Sequence, residues 1–200
     1  IMKVVILAGG FGTRLSEETE SKPKPLVNIG DMPIIWHIMK IYLHYGFDDF
    51  YILCGYKGNL LKEFFLNYQL YSKNLTVDFK NGKNIFTGKS KENRWRVTLL
   101  DTGLNSMTGG RILKFKKYLQ KGENFLLTYG DGLTDINIKD LVKFHIVNKK
   151  LVTVSAVIQP PRWGSLLIKG NVVKKISEKS IDYNNRINGG FFVVNEKAIE

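Results

Sequence analysis

Val4 to Leu7 form an unbroken apolar run rich in β-branched residues, which predicts a strand buried on both faces. A glycine-rich loop follows over residues 8 to 13. Ile34, Ile35, Ile38, Ile41, Tyr42 and Tyr45 then recur at helical spacing, with Pro33 suited to the helix start and Gly46 to its stop. The same reading predicts a strand over Phe50–Leu53, a helix over Leu60–Tyr68, an alternating strand over Leu75–Phe79, a polar loop or loose hairpin over residues 80 to 94 and a short strand over Val97–Leu100. Further on, helices are expected over Gly109–Leu119 and Ile138–Val147, and strands over Phe125–Tyr129, Leu151–Ile158 and Phe191–Val194. Leu166–Ile168 and Val172–Ile176 flank Gly170-Asn171 as a hairpin. Strands alternating with helices argue for an α/β fold, a mostly parallel sheet covered by helices on both faces with small antiparallel additions. Ligands in such sheets sit beyond the carboxyl ends of the strands, where the early glycine loop and Gly130-Asp131-Gly132 both fall.

Composition narrows this picture. A chain of 200 residues suits one sizeable core, and no composition shift marks a domain boundary. No stretch approaches the roughly 20 apolar residues of a membrane helix, and the single cysteine, Cys54, cannot form an internal disulfide. These features predict a cytoplasmic protein without a membrane partner. The net charge of +12 admits nucleic acid or phosphorylated ligands. Because the lysines are scattered and form no basic arm, a nucleic-acid partner is not expected. At the ends, Ile1 precedes what reads as an initiator, Met2, and Asn195 caps what reads as the opening of a helix. The expectation is a single domain over residues 1–200 that lacks its C-terminal segment.

Three motifs carry candidate chemistry. Leu7-Ala8-Gly9-Gly10-Phe11-Gly12-Thr13-Arg14-Leu15 places backbone N–H groups and a planar cation where an anion can approach. A dinucleotide fingerprint starting at Gly10 would need glycine where Leu15 stands, and nothing matches a Walker loop. Lys22-Pro23-Lys24-Pro25-Leu26 reads as a stiff extended segment, each proline disfavouring helix at the lysine before it. Thr128-Tyr129-Gly130-Asp131-Gly132 sets a carboxylate at a strand end between glycines, where a hydrated Mg²⁺ and a triphosphate can come close. Each has a plainer alternative: a tight turn, a solvated basic loop, a turn aspartate.

The first of these motifs resembles the signature of the sugar nucleotidyltransferases, and the lysine–proline segment fits the same family. Further blocks resemble its glucose-1-phosphate cytidylyltransferase branch: Ser16-Glu17-Glu18-Thr19, Trp36-His37-Ile38-Met39-Lys40, Cys54-Gly55-Tyr56-Lys57-Gly58, Asp101-Thr102-Gly103, Ser106-Met107-Thr108-Gly109-Gly110-Arg111, Thr128 to Gly132 and Ile187-Asn188-Gly189-Gly190-Phe191-Phe192. They run in order over nearly the whole chain.

The resemblance implies a three-layer sandwich with a Rossmann-like sheet, Mg²⁺ as cofactor, CTP and glucose 1-phosphate as ligands, and a homo-oligomer. It also implies a place in bacterial surface-polysaccharide deoxysugar synthesis. It places Leu7, Ala8, Gly9, Gly10, Phe11, Gly12 and Thr13 along the nucleotide, Arg14 on its β- and γ-phosphates, and Lys24 at the α-phosphate. By the same resemblance Ser106, Arg111 and Gly130 touch the nucleotide and Asp131 holds the metal. Glu178, Lys179, Asn188 and Gly189 face the sugar phosphate; Ser180 stands where the family has proline. Arg14, Lys24, Asp131 and Lys179 are the residues on which catalysis is expected to rest. The family's second metal-binding aspartate has no counterpart before Glu200. Two alternatives stay open: a fragment that binds CTP without turnover, and a related transferase using UTP, dTTP or GTP. His37, His44 and His145 fall on expected helices and read as structural, and Cys54 as a buried strand residue.

Overall fold

The computed structural model describes residues 2–12, 21–88, 94–158, 165–177 and 186–199. Strand β1 (Val4–Ala8) is the centre of the molecule. Its alternate side chains enter two separate cores: Val4, Ile6 and Ala8 pack on one face of the sheet, Val5 and Leu7 on the other. A continuous aliphatic run is the sequence such a doubly covered strand needs.

The chain then leaves the sheet. A miniature antiparallel pair, β2 (Asn28–Ile29) and β3 (Met32–Pro33), leads into helix α1 (Ile34–His44). Pro33 stands at the N-cap with φ −70° and ψ 155°, and Ile35, Ile38, Met39 and Tyr42 bury one stripe of α1 against the sheet. Strand β4 (Asp49–Cys54) returns parallel to β1. Where one helix is expected over Leu60–Tyr68, two are found, α2 (Gly58–Leu66) and α3 (Tyr68–Ser72), broken at Asn67. A hairpin of β5 (Asn74–Asp78) and β6 (Lys83–Thr87) follows, its turn organised by Asp78 accepting from the Lys80 and Asn81 amides. Strand β7 (Arg96–Asp101) pairs parallel with β4 as an edge of the sheet.

Helix α4 (Thr108–Phe115) runs on into a 3₁₀ turn over Lys116–Tyr118 and covers the face that carries Val5, Tyr51, Leu53 and Leu127. Strand β8 (Asn124–Tyr129) lies parallel to β1 on the side away from β4. Helix α5 (Ile138–Asn148) is capped by Asn137, whose side chain accepts from the Lys139 and Asp140 amides. Strand β9 (Val152–Ile158), the hairpin of β10 (Ser165–Lys169) and β11 (Val172–Ser177), and strand β12 (Arg186–Asn195) complete the order. Strand β12 is longer than the expected Phe191–Val194, because it pairs with β8 on one edge and β9 on the other. Asn195 then caps a 3₁₀ turn over Glu196–Ala198 by accepting from the Lys197 amide.

The central sheet has the order β7-β4-β1-β8-β12-β9, with β12 antiparallel to its neighbours. Helices α1, α2 and α5 pack against one face and α4 against the other, the three-layer α/β arrangement expected from the sequence. From β1 the chain proceeds to β4 and β7 on one side; from β8 it proceeds towards β9 on the other. The reversal lies between β1 and β8, the place beyond the carboxyl ends where such sheets form their ligand crevice. Among the described residues no helix is long and apolar enough to cross a membrane.

Two sequence-level readings about single side chains have structural counterparts. Cys54 is buried on β4, and burial pushes its thiol up to about 12, the behaviour of an inert core residue. His145 is 2% exposed and its Nδ1 lies 2.8 Å from Thr153 Oγ1, which joins α5 to β9. Desolvation lowers its pKa, so the neutral ring is the form the fold accepts. Below the unfolded value of about 6.5 the unfolded chain takes up a proton that the folded chain refuses, so stability falls with decreasing pH from there. Urea midpoints measured from pH 7 to pH 5 should therefore decline, and decline less in His145→Gln, which keeps a hydrogen-bonding partner for Thr153 without a titrating ring. Parallel pH profiles for the two proteins would show that His145 is not responsible.

Candidate functional site

The carboxyl ends of β7, β4, β1 and β8 lie side by side, with Asp101, Cys54 and Ala8 in register and Tyr129 opposite Leu7. The segments leaving these ends are tied together by backbone bonds. Gly130 N donates to Leu7 O at 2.9 Å, Tyr56 N to Gly9 O at 3.2 Å and Thr102 N to Cys54 O at 3.0 Å. Residues from four distant parts of the sequence thereby share one edge.

Arg111, on α4, is the hub of that edge. It is 5% exposed, and among the described residues its hydrogen bonds go to carbonyl and hydroxyl oxygens. Its Nη1 donates to Cys54 O, Thr102 Oγ1 and Gly103 O at 3.1, 2.6 and 2.8 Å, and its Nη2 to Gly9 O and Leu104 O at 2.8 and 3.2 Å. The planar fork suits this task because its donors diverge within one plane and can span several strand ends. Gly9 and Gly55 admit it: a Cβ on either would lie 2.3–2.4 Å from guanidinium atoms. Ser106 is drawn into the same cluster, donating to Thr102 O, while Lys114 Nζ reaches Thr102 O at 2.8 Å and Ser106 Oγ at 3.3 Å.

Beyond Gly9 the loop opens outward. Gly10 has no neighbour where a Cβ would stand, and Phe11 is half exposed with its ring 5.4 Å from that of Tyr56. Gly12 adopts φ +69°. Thr13, Arg14, Glu178 and Lys179 lie outside the described residues, as do Leu15 and the Ser16–Thr19 block.

The lysine–proline segment differs from its expected extended form. Pro23 is extended, but Lys24–Leu26 make a 3₁₀ turn, with Leu26 N donating to Pro23 O at 2.8 Å and Val27 N to Lys24 O at 3.0 Å. A single turn tolerates Pro25 because its first residues need no backbone donor. Buried Pro25 packs on Gly130, where a Cβ would lie 2.8 Å from Pro25 Cγ and 2.9 Å from Leu7 O. That contact sets the turn beside the end of β8, and Lys24 Nζ donates to Asp131 Oδ2. The two partners are 27% and 37% exposed, so their pairing is solvent-screened and contributes little to stability. It does put a cation and a carboxylate together at the end of β8.

Asn188 and Gly189 reach the same edge from the antiparallel strand. Pairing of β12 with β9 shifts between Asn188 and Phe192, and Gly190 in that stretch lies against the Tyr129 ring. Gly190 N donates to Asn188 Oδ1 at 2.8 Å and Asn188 Nδ2 to Tyr129 OH at 3.3 Å. Of the described residues expected at the site, Leu7 and Ala8 end β1 and Gly9 to Gly12 leave it, Gly130 and Asp131 follow β8 with Lys24 paired to Asp131, and Asn188 reaches Tyr129 at the end of β8 from β12. Ser106 and Arg111 lie one strand further, towards β7. Thr102, Lys114 and Tyr129 belong to the cluster without having been assigned a role from sequence. Asp101-Thr102-Gly103 and Thr128-Tyr129-Gly130 already stood out as blocks, and their position at strand ends is the signal that singles them out.

Grooves of about 750 and 330 Å³ flank α2 and α3, lined by Phe65, Tyr68 and Trp95 in one and by Leu60, Phe64 and Tyr71 in the other. Neither touches the glycine loop or Asp131, and the strand-end crevice remains the better candidate because polar groups converge there.

The donors around Asp131 decide what kind of ion it could hold. Among the described residues there is no group of three or more His, Cys, Asp or Glu side chains that could hold an ion. A single exposed carboxylate suits Mg²⁺ that arrives with phosphate oxygens and water as its other ligands, and it does not suit a caged ion.

Similarity to known proteins agrees with this geometry. Residues 3–200 match the family model described as nucleotidyl transferase. Proteins named glucose-1-phosphate cytidylyltransferase from Salmonella typhimurium and Salmonella typhi are each 48% identical over 199 residues, covering 100% of this chain and 77% of theirs. A crystal structure of HddC from Yersinia pseudotuberculosis, 24% identical, superposes with a TM-score of 0.67 over 100% of this chain and 79% of its own, a likeness of fold. The strand-end architecture and the match across 3–200 together place this chain in the nucleotidyl transferase family.

Proposed function

We propose that the protein transfers a cytidylyl group from CTP to glucose 1-phosphate, yielding CDP-glucose and pyrophosphate. What supports this reading is that the glycine loop leaves β1 and Asp131, paired with Lys24, follows β8 at neighbouring carboxyl ends of a parallel sheet, in a chain 48% identical to proteins bearing that activity's name. A phosphate oxygen of the sugar phosphate attacks the α-phosphorus in line. The bond from that phosphorus to its bridging oxygen breaks, and pyrophosphate leaves with the electron pair. Such a displacement needs orientation and charge neutralisation more than a protein nucleophile.

The glycine loop would bind phosphate through backbone N–H groups, with Thr13 beside it and Arg14 on the β- and γ-phosphates. Lys24, beside Asp131 at the end of β8, would reach the α-phosphate as charge builds there. Mg²⁺, held by Asp131 together with the triphosphate, would supply charge neutralisation at the phosphates. Ser106 and Arg111 would shape the nucleotide side, Arg111 through the carbonyls it grips, and Glu178, Lys179, Asn188 and Gly189 would orient the sugar phosphate. A cytoplasmic homo-oligomer is part of the same reading.

Pyrophosphate release from CTP, UTP, dTTP and GTP, each with glucose 1-phosphate and Mg²⁺, tests it. CTP should be preferred by tenfold or more, about 1.4 kcal/mol of discrimination. Equal rates with all four nucleotides would remove the cytidine assignment, and CTP binding without release would reduce the chain to a binding protein.

A further inference from the structure

We infer that Tyr129 is a sugar-contacting residue, whose phenol recognises hydroxyl groups of the acceptor hexose phosphate. This rests on the reading that the crevice takes a sugar 1-phosphate. Tyr129 ends β8, directly before Gly130 and Asp131, and it is 37% exposed whereas Phe125 to Thr128 are buried. A large aromatic residue at the end of a buried strand, held open at the ligand edge, calls for a reason beyond core packing.

Its surroundings fix the ring and leave the hydroxyl available. Phe192 meets it edge-on, with centroids 5.9 Å apart and planes at 82°. Gly190, at φ +82°, lies where a Cβ would come within 3.2 Å of Tyr129 Cδ2, and its carbonyl is tied to β8 by a 2.9 Å bond from Thr128 Oγ1. Only glycine combines that backbone conformation with so close an approach. The Gly190 amide orients Asn188 by donating to its Oδ1, so Asn188 Nδ2 faces the phenol oxygen. The oxygen therefore accepts from Asn188, and among the described residues nothing accepts the phenol's own proton. The result is a rigid aromatic face with one outward donor, next to an amide with a spare N–H.

The chemistry of the pair selects its ligand. Tyr129 and Asn188 are neutral, so they suit hydroxyls and the C–H face of a pyranose rather than phosphate oxygens. Lys24 supplies a cation beside Asp131, in the turn whose Pro25 packs on Gly130 next to Leu7 O. The hexose would then lie over β8 and β12, with its phosphate directed towards β1.

Tyr129→Phe keeps the ring and deletes the hydroxyl. With α,β-methylene CTP present, glucose 1-phosphate is titrated calorimetrically into the full chain. The variant should bind the sugar phosphate roughly threefold to tenfold more weakly, the effect of one hydrogen bond, with affinity for the nucleotide analogue unchanged. Gly190→Ala, which crowds the ring without touching the hydroxyl, should show the same selective loss. Unchanged sugar-phosphate affinity in Tyr129→Phe, an equal loss for the nucleotide, or no sugar-phosphate binding by the wild type would each overturn the inference. Wild-type pyrophosphate release from CTP is scored separately, so a normal rate beside an unaffected Tyr129→Phe rejects the contact and leaves the activity standing.

Discussion

Asp131→Asn should lower the rate of pyrophosphate release by roughly a thousandfold while the thermal melt stays within a degree or two of wild type, the scale of losing a preorganised charge at the reacting phosphates. The two halves of this expectation have different origins. The carboxylate is exposed by more than a third and its partner Lys24 by more than a quarter, so the pair contributes less than about 1 kcal/mol to folding. The amide is isosteric and leaves the packing of Pro25 on Gly130 intact. Any large loss of rate then reports on chemistry and not on unfolding. Activity within a factor of ten of wild type would mean that Asp131 does not hold the metal. A collapse of the melt would mean that the ion pair matters more to the fold than its exposure allows.

Arg111→Met should destabilise the protein by about 3 kcal/mol, because Gly103 and Leu104 lose their guanidinium donor and Gly9 loses one of two. For a chain of this size that lowers the melting temperature by roughly 6–12 °C. Arg111→Lys should recover only part of it. An ammonium has three donors on a flexible stem and cannot span carbonyls from the ends of β1, β4 and β7 at once. Gly9→Ala should mimic the loss from the opposite side, its methyl landing 2.3 Å from the guanidinium carbon. Denaturant unfolding of the three variants decides the matter: if all lie within about 0.5 kcal/mol of wild type, the guanidinium is not bracing the edge. The same variants should bind CTP more weakly, since the glycine loop they loosen is the one proposed to hold its phosphates.

Some of this was legible in one dimension. The aliphatic run at Val4–Leu7 could only be a strand covered on both sides, and its two cores bear that out. The spacing of Ile35, Ile38 and Tyr42 marked the face that α1 buries, and a cap at Asn195 was readable from residue type alone. Local rules faltered where a distant partner decides. Lys24–Leu26 turn because Pro25 seats on Gly130, and β12 extends beyond its apolar stretch because two neighbours supply hydrogen-bonding edges. Asn67 interrupts what periodicity reads as one helix.

The sequence by itself determined the fold class, the core faces and the family, since periodicity, turn chemistry and ordered motifs are all properties of neighbours along the chain. Only the tertiary structure decided that Arg111 is engaged by carbonyls of three strand ends, that Lys24 meets Asp131 across 107 positions, and that Asn188 and Gly190 hold Tyr129 at the crevice. Contacts between residues so far apart follow from strand order and register, which arise when the whole sheet closes and are encoded in no single segment.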